Sequence, residues 1–157
     1  MSESKNKSTY PALWNPFWTL VWSAIFTPIF GAMIQHLNWK ALGQDAQAAS
    51  SLLWVKASAA FYVLYLVAEP WLPESDYLPY AFAGTSLLLW LVWMATNGLK
   101  QQRYVAEQFG QHYHHKLWGR PMMLGAFFWV IWMAVSLTYV LALILSGTII
   151  IEAPVLP

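Results

Sequence analysis

Four apolar runs dominate this sequence, and they limit the folds open to it more than any other feature. An α-helix needs about 20 apolar residues to cross the ~30 Å hydrocarbon layer of a bilayer. Only 10% of the chain is charged, against about 25% in soluble domains, so most of its surface is not suited to water. The sequence therefore predicts an all-α integral membrane protein that forms a single domain over residues 1–157.

Three of these runs predict transmembrane helices, at residues 52–69, 78–97 and 122–151. The Asn97-Gly98 pair is a turn signal and predicts that the second of these helices ends there. Lys56 is the one basic residue inside a predicted span, and its long side chain is expected to extend toward the nearer membrane surface.

The first run, residues 15–39, contains Pro28 and Gly31, and two topologies remain open for it. A kinked helix that crosses the bilayer tolerates both residues. In the alternative, half-helices at 14–27 and 31–39 form a re-entrant hairpin, because Pro28 breaks the hydrogen-bond ladder and Gly31 permits backbone angles that a reversal needs. We expect Pro28 and Gly31 to act as a structural hinge at which the chain reverses.

The distribution of charge orients the chain, because basic residues near helix ends are preferentially cytoplasmic. The connection at 98–120 is rich in bases, whereas the connection after residue 69 and the tail after 151 are acidic. We therefore expect the basic loops to be cytoplasmic and the C-terminus to be external. A hairpin at 15–39 would also bring the N-terminal bases to the cytoplasm, so that all eight Lys and Arg share one side. This distribution favours the hairpin.

The connection at 98–120 is amphipathic at helical spacing and predicts an interfacial helix before the last span. Its bases are expected to lie at the membrane surface, where each attracts anionic lipid by about 1 kcal/mol. They are equally typical of ordinary cytoplasmic loops, so lipid binding remains one of two interpretations. The four residues are Lys100, Arg103, Lys116 and Arg120.

A histidine cluster, His112, His114 and His115, lies in the same connection. On a helix, His112 and His115 can share one metal ion, but a catalytic zinc site needs a third protein ligand. The sequence contains no HExxH motif and no Cys. We expect these histidines to lie among lipid headgroups, and we predict no metal, no cofactor and no catalytic residue.

Few polar groups lie deep in the apolar runs, and those at 78–97 and 122–151 contain no ionisable residue. Transport sites usually place ionisable groups inside the bilayer. The small residues Ala83, Gly84 and Ser86 are expected to allow close helix contact and to cover the turn of the hairpin.

The segment FTPIFGAMIQHLNWKALG, residues 26–43, resembles a pattern of small bacterial membrane proteins. In that pattern a Pro–Gly pair precedes Asn-Trp-Lys/Arg-x-Leu-Gly. The resemblance implies a bacterial inner membrane and implies no activity. The polar N-terminal segment 1–14 lacks the features of a secretory signal peptide.

Three functional classes are compatible with these features. The first is a non-catalytic accessory, assembly or regulatory subunit that lies in the lipid bilayer and binds a protein partner or a second copy of itself. The second is a small oligomeric transporter or channel that uses the Pro28–Gly31 break, and the third is a metal-dependent membrane enzyme built on the histidines. The scarcity of buried ionisable groups favours the first, and a net charge of +1 argues against a nucleic-acid partner.

Overall fold

The computed structural model describes residues 10–73 and 75–148, and its architecture is helical, as predicted. Two short strands, β1 (Ala12–Leu13) and β2 (His114–His115), pair in parallel. The helices are α1 (Pro16–Phe26), α2 (Pro28–Ala41), α3 (Asp45–Ala68), α4 (Leu78–Trp93), α5 (Leu99–Phe109) and α6 (Gly119–Leu145). A 3₁₀ turn (Glu69–Trp71) follows α3, and a π-helical turn (Met94–Gly98) joins α4 to α5.

Within the described residues, three helical segments are long and apolar enough to span a membrane: Asp45–Trp71, Leu78–Phe109 and Gly119–Leu145. Their 27, 32 and 27 residues correspond to about 40, 48 and 40 Å at 1.5 Å per residue. Each is longer than the ~30 Å hydrocarbon layer. The first two also extend beyond the predicted ranges, because α3 starts at Asp45 and α4 continues into α5.

The first apolar run folds into a hairpin of α1 and α2. Thr27 lies between the two helices in an extended conformation, with φ 163° and ψ 166°. Pro28 explains this break, since a proline disfavours the helical conformation of the residue before it. Pro28 itself occupies the first turn of α2, where its missing N–H leaves no hydrogen bond unmade.

Contacts across the hairpin show that the chain reverses direction. The backbone N–H of Trp14 donates to Asn38 Oδ1 at 3.0 Å, although a straight helix would separate these residues by about 36 Å. Ser23 likewise lies directly against Gly31. In the structure the chain reverses at Thr27–Pro28. Gly31 lies within α2 and contributes close packing instead of unusual backbone angles.

The helix that begins at Leu78 does not end at Asn97-Gly98. It widens into the π-helical turn and continues as α5 to Phe109, where Gly110 ends it with a φ of 56°. Residues 111–118 are not helical, and they include β2. The structure therefore differs from the interfacial helix predicted for 98–120: its first half prolongs the preceding helix, and its second half pairs with the segment before α1.

The segment before α1 is tied to the connection between α5 and α6. The backbone N–H of His114 donates to the Pro11 carbonyl at 3.0 Å, and that of Lys116 donates to Leu13 at 2.8 Å. Trp14 Nε1 donates to the Leu117 carbonyl at 3.1 Å. These bonds place residues 11–14 and 114–117 at the same end of the helix bundle.

Helix α6 packs loosely on the rest of the molecule. Among the residues of α6, all of which the structure describes, Pro121 alone is buried. Its contacts include Gly125 against Phe26 and Phe30 at the tip of the hairpin, and Trp132 near Tyr62 of α3. Most of the apolar surface of α6 therefore faces outward.

Candidate functional site

A network of buried side-chain amides fixes the hairpin against the rest of the bundle. Asn38 Nδ2 donates to the Trp14 carbonyl at 2.8 Å and to Gln101 Oε1 at 3.1 Å, while Asn38 Oδ1 accepts from the Trp14 N–H. Gln101 Nε2 donates in turn to the Gln35 carbonyl at 3.0 Å. Gln35, Asn38 and Gln101 are at most 1% exposed. The network thus joins the segment before α1 to α2 and α5 through amide side chains that have little access to solvent.

The Gln35 side chain also stabilises the π-helical turn. Its Nε2 donates to the carbonyls of Gly98 at 3.0 Å and Asn97 at 3.3 Å. A π-helical turn shifts the backbone hydrogen-bonding pattern by one residue, and these two bonds attach its last residues to α2. This interaction explains why the helix continues through Asn97-Gly98, which the local sequence predicts to be a turn.

Asn97 connects this network to α3. Its Nδ2 donates to Ser51 Oγ at 3.2 Å, and Ser51 Oγ donates to the Gln47 carbonyl at 3.1 Å. Two acceptors, Gln35 Oε1 and Asn97 Oδ1, are buried without a hydrogen-bond donor in the described part of the chain. An unsatisfied buried acceptor costs about 1–3 kcal/mol. The network is therefore only partly satisfied by hydrogen bonds.

One turn beyond the break, Gly31 of α2 is tightly packed against α1 and α4. A Cβ built on Gly31 would lie 2.5 Å from Ser23 Cβ and 2.5 Å from Trp93 Cη2. Trp90 Nε1 donates to Ser23 Oγ at 2.9 Å, and Ser23 Oγ donates to the Leu20 carbonyl at 2.6 Å. No space for water remains between Gly31, Ser23 and Trp93.

A first cavity, of about 460 Å³, lies at the tip of the hairpin. Its polar groups are few, and they include Ser23, Tyr62 and Ser86. Ser86 Oγ is buried and has no hydrogen-bond partner by distance and angle among the described residues. Ala83 and Ser86 line this cavity, as expected for residues that cover the turn, whereas a Cβ on Gly84 would meet nothing within 4 Å. The full lining comprises Ser23, Ala24, Ile25, Phe26, Thr27, Pro28, Tyr62, Phe82, Ala83, Ser86, Leu87, Trp90 and Trp129.

A second cavity, of about 320 Å³, lies between α2, α3 and α5 at the end of the bundle that carries the bases. Lys100 and Arg103 line it together with Glu107, and all three side chains are exposed. Trp39 also lines it and is only 2% exposed, and its Nε1–H has no acceptor in the part of the chain that the structure describes. The other lining residues are Gln44, Gln47 and Tyr104.

The predicted surface bases therefore separate into two groups. Lys100 and Arg103 line the second cavity, whereas Lys116 lies over the indole of Trp14, with its Nζ 4.2 Å from the ring centroid. Burial lowers the pKa of the Lys116 ammonium, although the face of the indole favours its charged form. Arg120 is exposed in the first turn of α6.

The histidines of the connection are not assembled into a metal centre. The His112 ring lies 6.2 Å from that of Tyr10, and the His115 ring lies 4.4 Å from that of Tyr113. His114 pairs with Ala12 in the two-residue sheet. Within residues 10–73 and 75–148, no three His, Asp or Glu side chains are close enough to hold one metal ion.

The amide network is the feature that the sequence analysis missed. Its residues lie at helical spacing on their own elements, with Gln35 and Asn38 on α2 and with Asn97 and Gln101 across the π-helical turn and α5. A polar stripe of this kind at the end of an apolar run is a usable signal for interhelical hydrogen bonding. The sequence does not indicate which of these amides form hydrogen bonds with each other in the folded protein.

No family model, no curated protein and no solved structure matches this chain.

Proposed function

We propose that this chain is a multi-pass protein of the bacterial inner membrane, with α3, α4–α5 and α6 as its transmembrane helices. The support is the presence of three helical segments of sufficient length and apolarity, together with the bacterial pattern in residues 26–43. In this placement the exposed apolar surface of α6 contacts lipid or a partner protein.

The hairpin of α1 and α2 is then re-entrant. Its 11- and 14-residue helices are about 16 and 21 Å long, so neither spans the hydrocarbon layer. The tip shares a cavity with Leu87 and Trp90, which lie in the middle of the apolar part of the helix that begins at Leu78. The tip therefore lies deep in the membrane, and both ends of the hairpin lie at the basic, cytoplasmic side.

The role that the geometry supports best is a non-catalytic one, as an accessory, assembly or regulatory subunit. The observation that carries this proposal is the packing of Gly31 against Ser23 and Trp93, which holds α2 tightly against α1 and α4. A transport path through the bundle would need a hydrated space, and this contact leaves none at Gly31. The amide network further fixes the hairpin in one position, as suits a rigid docking element.

Purification from membranes in a mild detergent, followed by mass spectrometry of what remains bound, tests this role. We expect a distinct partner protein to be retained in a fixed ratio by the wild-type chain. The same partner should be lost from an Asn38→Leu variant, whose hairpin is no longer held by the network, and should be kept by Gln108→Leu, which alters an exposed glutamine. Recovery of a monomer alone from both the wild type and the control would contradict the proposal.

A small transporter or channel is the second candidate, and the cavity at the hairpin tip favours it. This space adjoins the break itself and contains the buried hydroxyl of Ser86. Recovery of a pure homo-oligomer that passes solutes when reconstituted in liposomes would support this candidate over the first. The described histidines provide no comparable support for a metal-dependent enzyme.

A further inference from the structure

The second cavity combines features that suit an anionic ligand. Lys100, Arg103, Tyr104 and Glu107 lie on one face of α5 and form one wall, and Trp39 contributes from α2. Neither Lys100 nor Arg103 forms an ion pair within the described residues, whose one salt bridge joins Lys40 to Asp45 at 2.7 Å. Two cations are therefore available to a ligand in the same concave space.

Neutral donors complete the arrangement. Gln44 Nε2 donates to the Tyr104 hydroxyl at 3.2 Å, which leaves the hydroxyl proton of Tyr104 free to donate elsewhere. The Trp39 ring packs against that of Tyr104, with 5.2 Å between their centroids. Trp39 is 2% exposed, and its Nε1–H is unpaired among the described residues. The Tyr104 hydroxyl and the cations of Lys100 and Arg103 are donors that suit an oxyanion.

We propose that this cavity binds a phosphate group, carried either by the headgroup of an anionic phospholipid or by a soluble phosphate ester. Arg103 contributes a planar, bidentate donor, Lys100 a point charge, and Tyr104 a neutral hydroxyl. Glu107 opposes the anion and limits the affinity of the site. The site is independent of the accessory role proposed above, and only its use by a lipid depends on the proposed membrane placement.

A specific phosphate site differs from general attraction of anionic lipid by surface bases, because only the bases that line the cavity contribute to it. Arg120 lies near the same end of the bundle and carries the same charge as Arg103, but it does not line the cavity. Loss of either charge weakens nonspecific attraction equally, whereas loss of Arg103 alone removes a ligand contact. Arg103→Gln and Arg120→Gln are therefore a matched pair of variants.

The test is binding of phosphatidylglycerol to the purified full chain in a phosphate-free neutral detergent, counted by native mass spectrometry, with phosphatidylcholine as the comparison lipid. We expect one phosphatidylglycerol per chain. Its affinity should fall about tenfold in Arg103→Gln, the effect of one charge-assisted hydrogen bond, and should rise in Glu107→Gln. It should be unchanged in Arg120→Gln.

Glycerol 3-phosphate and inorganic phosphate distinguish the two sources of the group. If either soluble ligand displaces phosphatidylglycerol at millimolar concentration or below, the site recognises phosphate as such, and if neither does, it recognises a lipid headgroup. Equal losses of affinity in Arg103→Gln and Arg120→Gln would overturn the proposal, as would equal binding of phosphatidylglycerol and phosphatidylcholine. Lys100→Gln repeats the test at another exposed position, should Arg103→Gln fail to fold.

Discussion

Gly31 determines how closely the hairpin approaches α4. The space that its missing side chain leaves is filled by Ser23 from α1 and by Trp93 from α4. Backbone flexibility is not its function, because it lies inside α2. A second helical glycine, Gly84 of α4, has no such contact, since a Cβ there meets nothing within 4 Å. The two glycines are thus physically unlike, although the sequence alone does not separate them.

Gly31→Ala should destabilise the protein, by about 1–3 kcal/mol as for other overpacked sites. The added methyl group would clash with Ser23 and Trp93 and would push the hairpin away from α4. Gly84→Ala should be neutral or stabilise slightly, because alanine favours a helix more than glycine does. Thermal unfolding in one detergent, followed by circular dichroism, compares the two. Equal melting temperatures for both variants would show that the Gly31 contact is not tight.

Asn38→Leu should lower the free energy of unfolding by about 2 kcal/mol or more, because the change leaves buried groups without partners. These are the N–H and C=O of Trp14 and the side-chain oxygen of Gln101. The control is Gln108→Leu, on the exposed surface of α5, for which little change is expected. A loss of stability in the control as large as in Asn38→Leu would argue against a specific role for the network.

The elements show where local sequence determines structure and where it does not. The hairpin could be predicted because Pro28 acts on its immediate neighbour, Thr27, and because charge placement favours a reversal. The path after Asn97-Gly98 could not, since the helix is maintained there by Gln35 from a different element. The pairing of residues 12–13 with residues 114–115 likewise could not be predicted from local sequence patterns, because the two strands are distant in sequence.

Cysteines placed at Ala12 and His114 should form a disulfide in the purified protein under mild oxidation. The two residues are paired in the parallel sheet, where Cα atoms approach within the range that a disulfide requires. The chain contains no native Cys, so a mobility shift on a non-reducing gel reports this bond alone. The control pair, Ala12→Cys with Gln108→Cys, should remain reduced. Equal cross-linking of both pairs would indicate that residues 10–14 are not held on β2.

At the scale of the whole molecule, hydrogen bonds join several connecting segments at the end of the bundle that carries residues 11–14 and 114–117. The segment before α1, the last turns of α2 and the connection between α5 and α6 are joined there through Trp14, Asn38 and Leu117. The turn between α3 and α4 lies at the opposite end of these helices. Asp76 belongs to that turn, while Glu74 and Pro157, which share its predicted external side, lie outside the described residues. The prediction that Ser8 is cytoplasmic also falls on residues that the structure does not describe.

Labelling of single cysteines with an impermeant reagent in intact bacteria tests the orientation. A Cys at Asp76 should be labelled from outside, whereas Cys residues at Lys40, Gln111 and Ser8 should react only after lysis. This result follows if the bases remain cytoplasmic and the hairpin is re-entrant. External labelling at Gln111 would show that the helices have the opposite orientation in the membrane. External labelling at Ser8, with Lys40 protected, would mean that the first run crosses the membrane.

The bond from Trp14 to Leu117 joins residues 103 positions apart, and this separation has a consequence for biosynthesis. Residues 11–14 leave the ribosome early, but their partners on β2 follow only after α3, α4 and α5 have been made. Long-range contacts of this kind form late, because the intervening chain must first be ordered. Residues 11–14 therefore cannot dock until residues 114–117 have been synthesised. In a nascent chain arrested before residue 114, residues 11–14 would still be undocked. Closing this contact is therefore a late step of assembly.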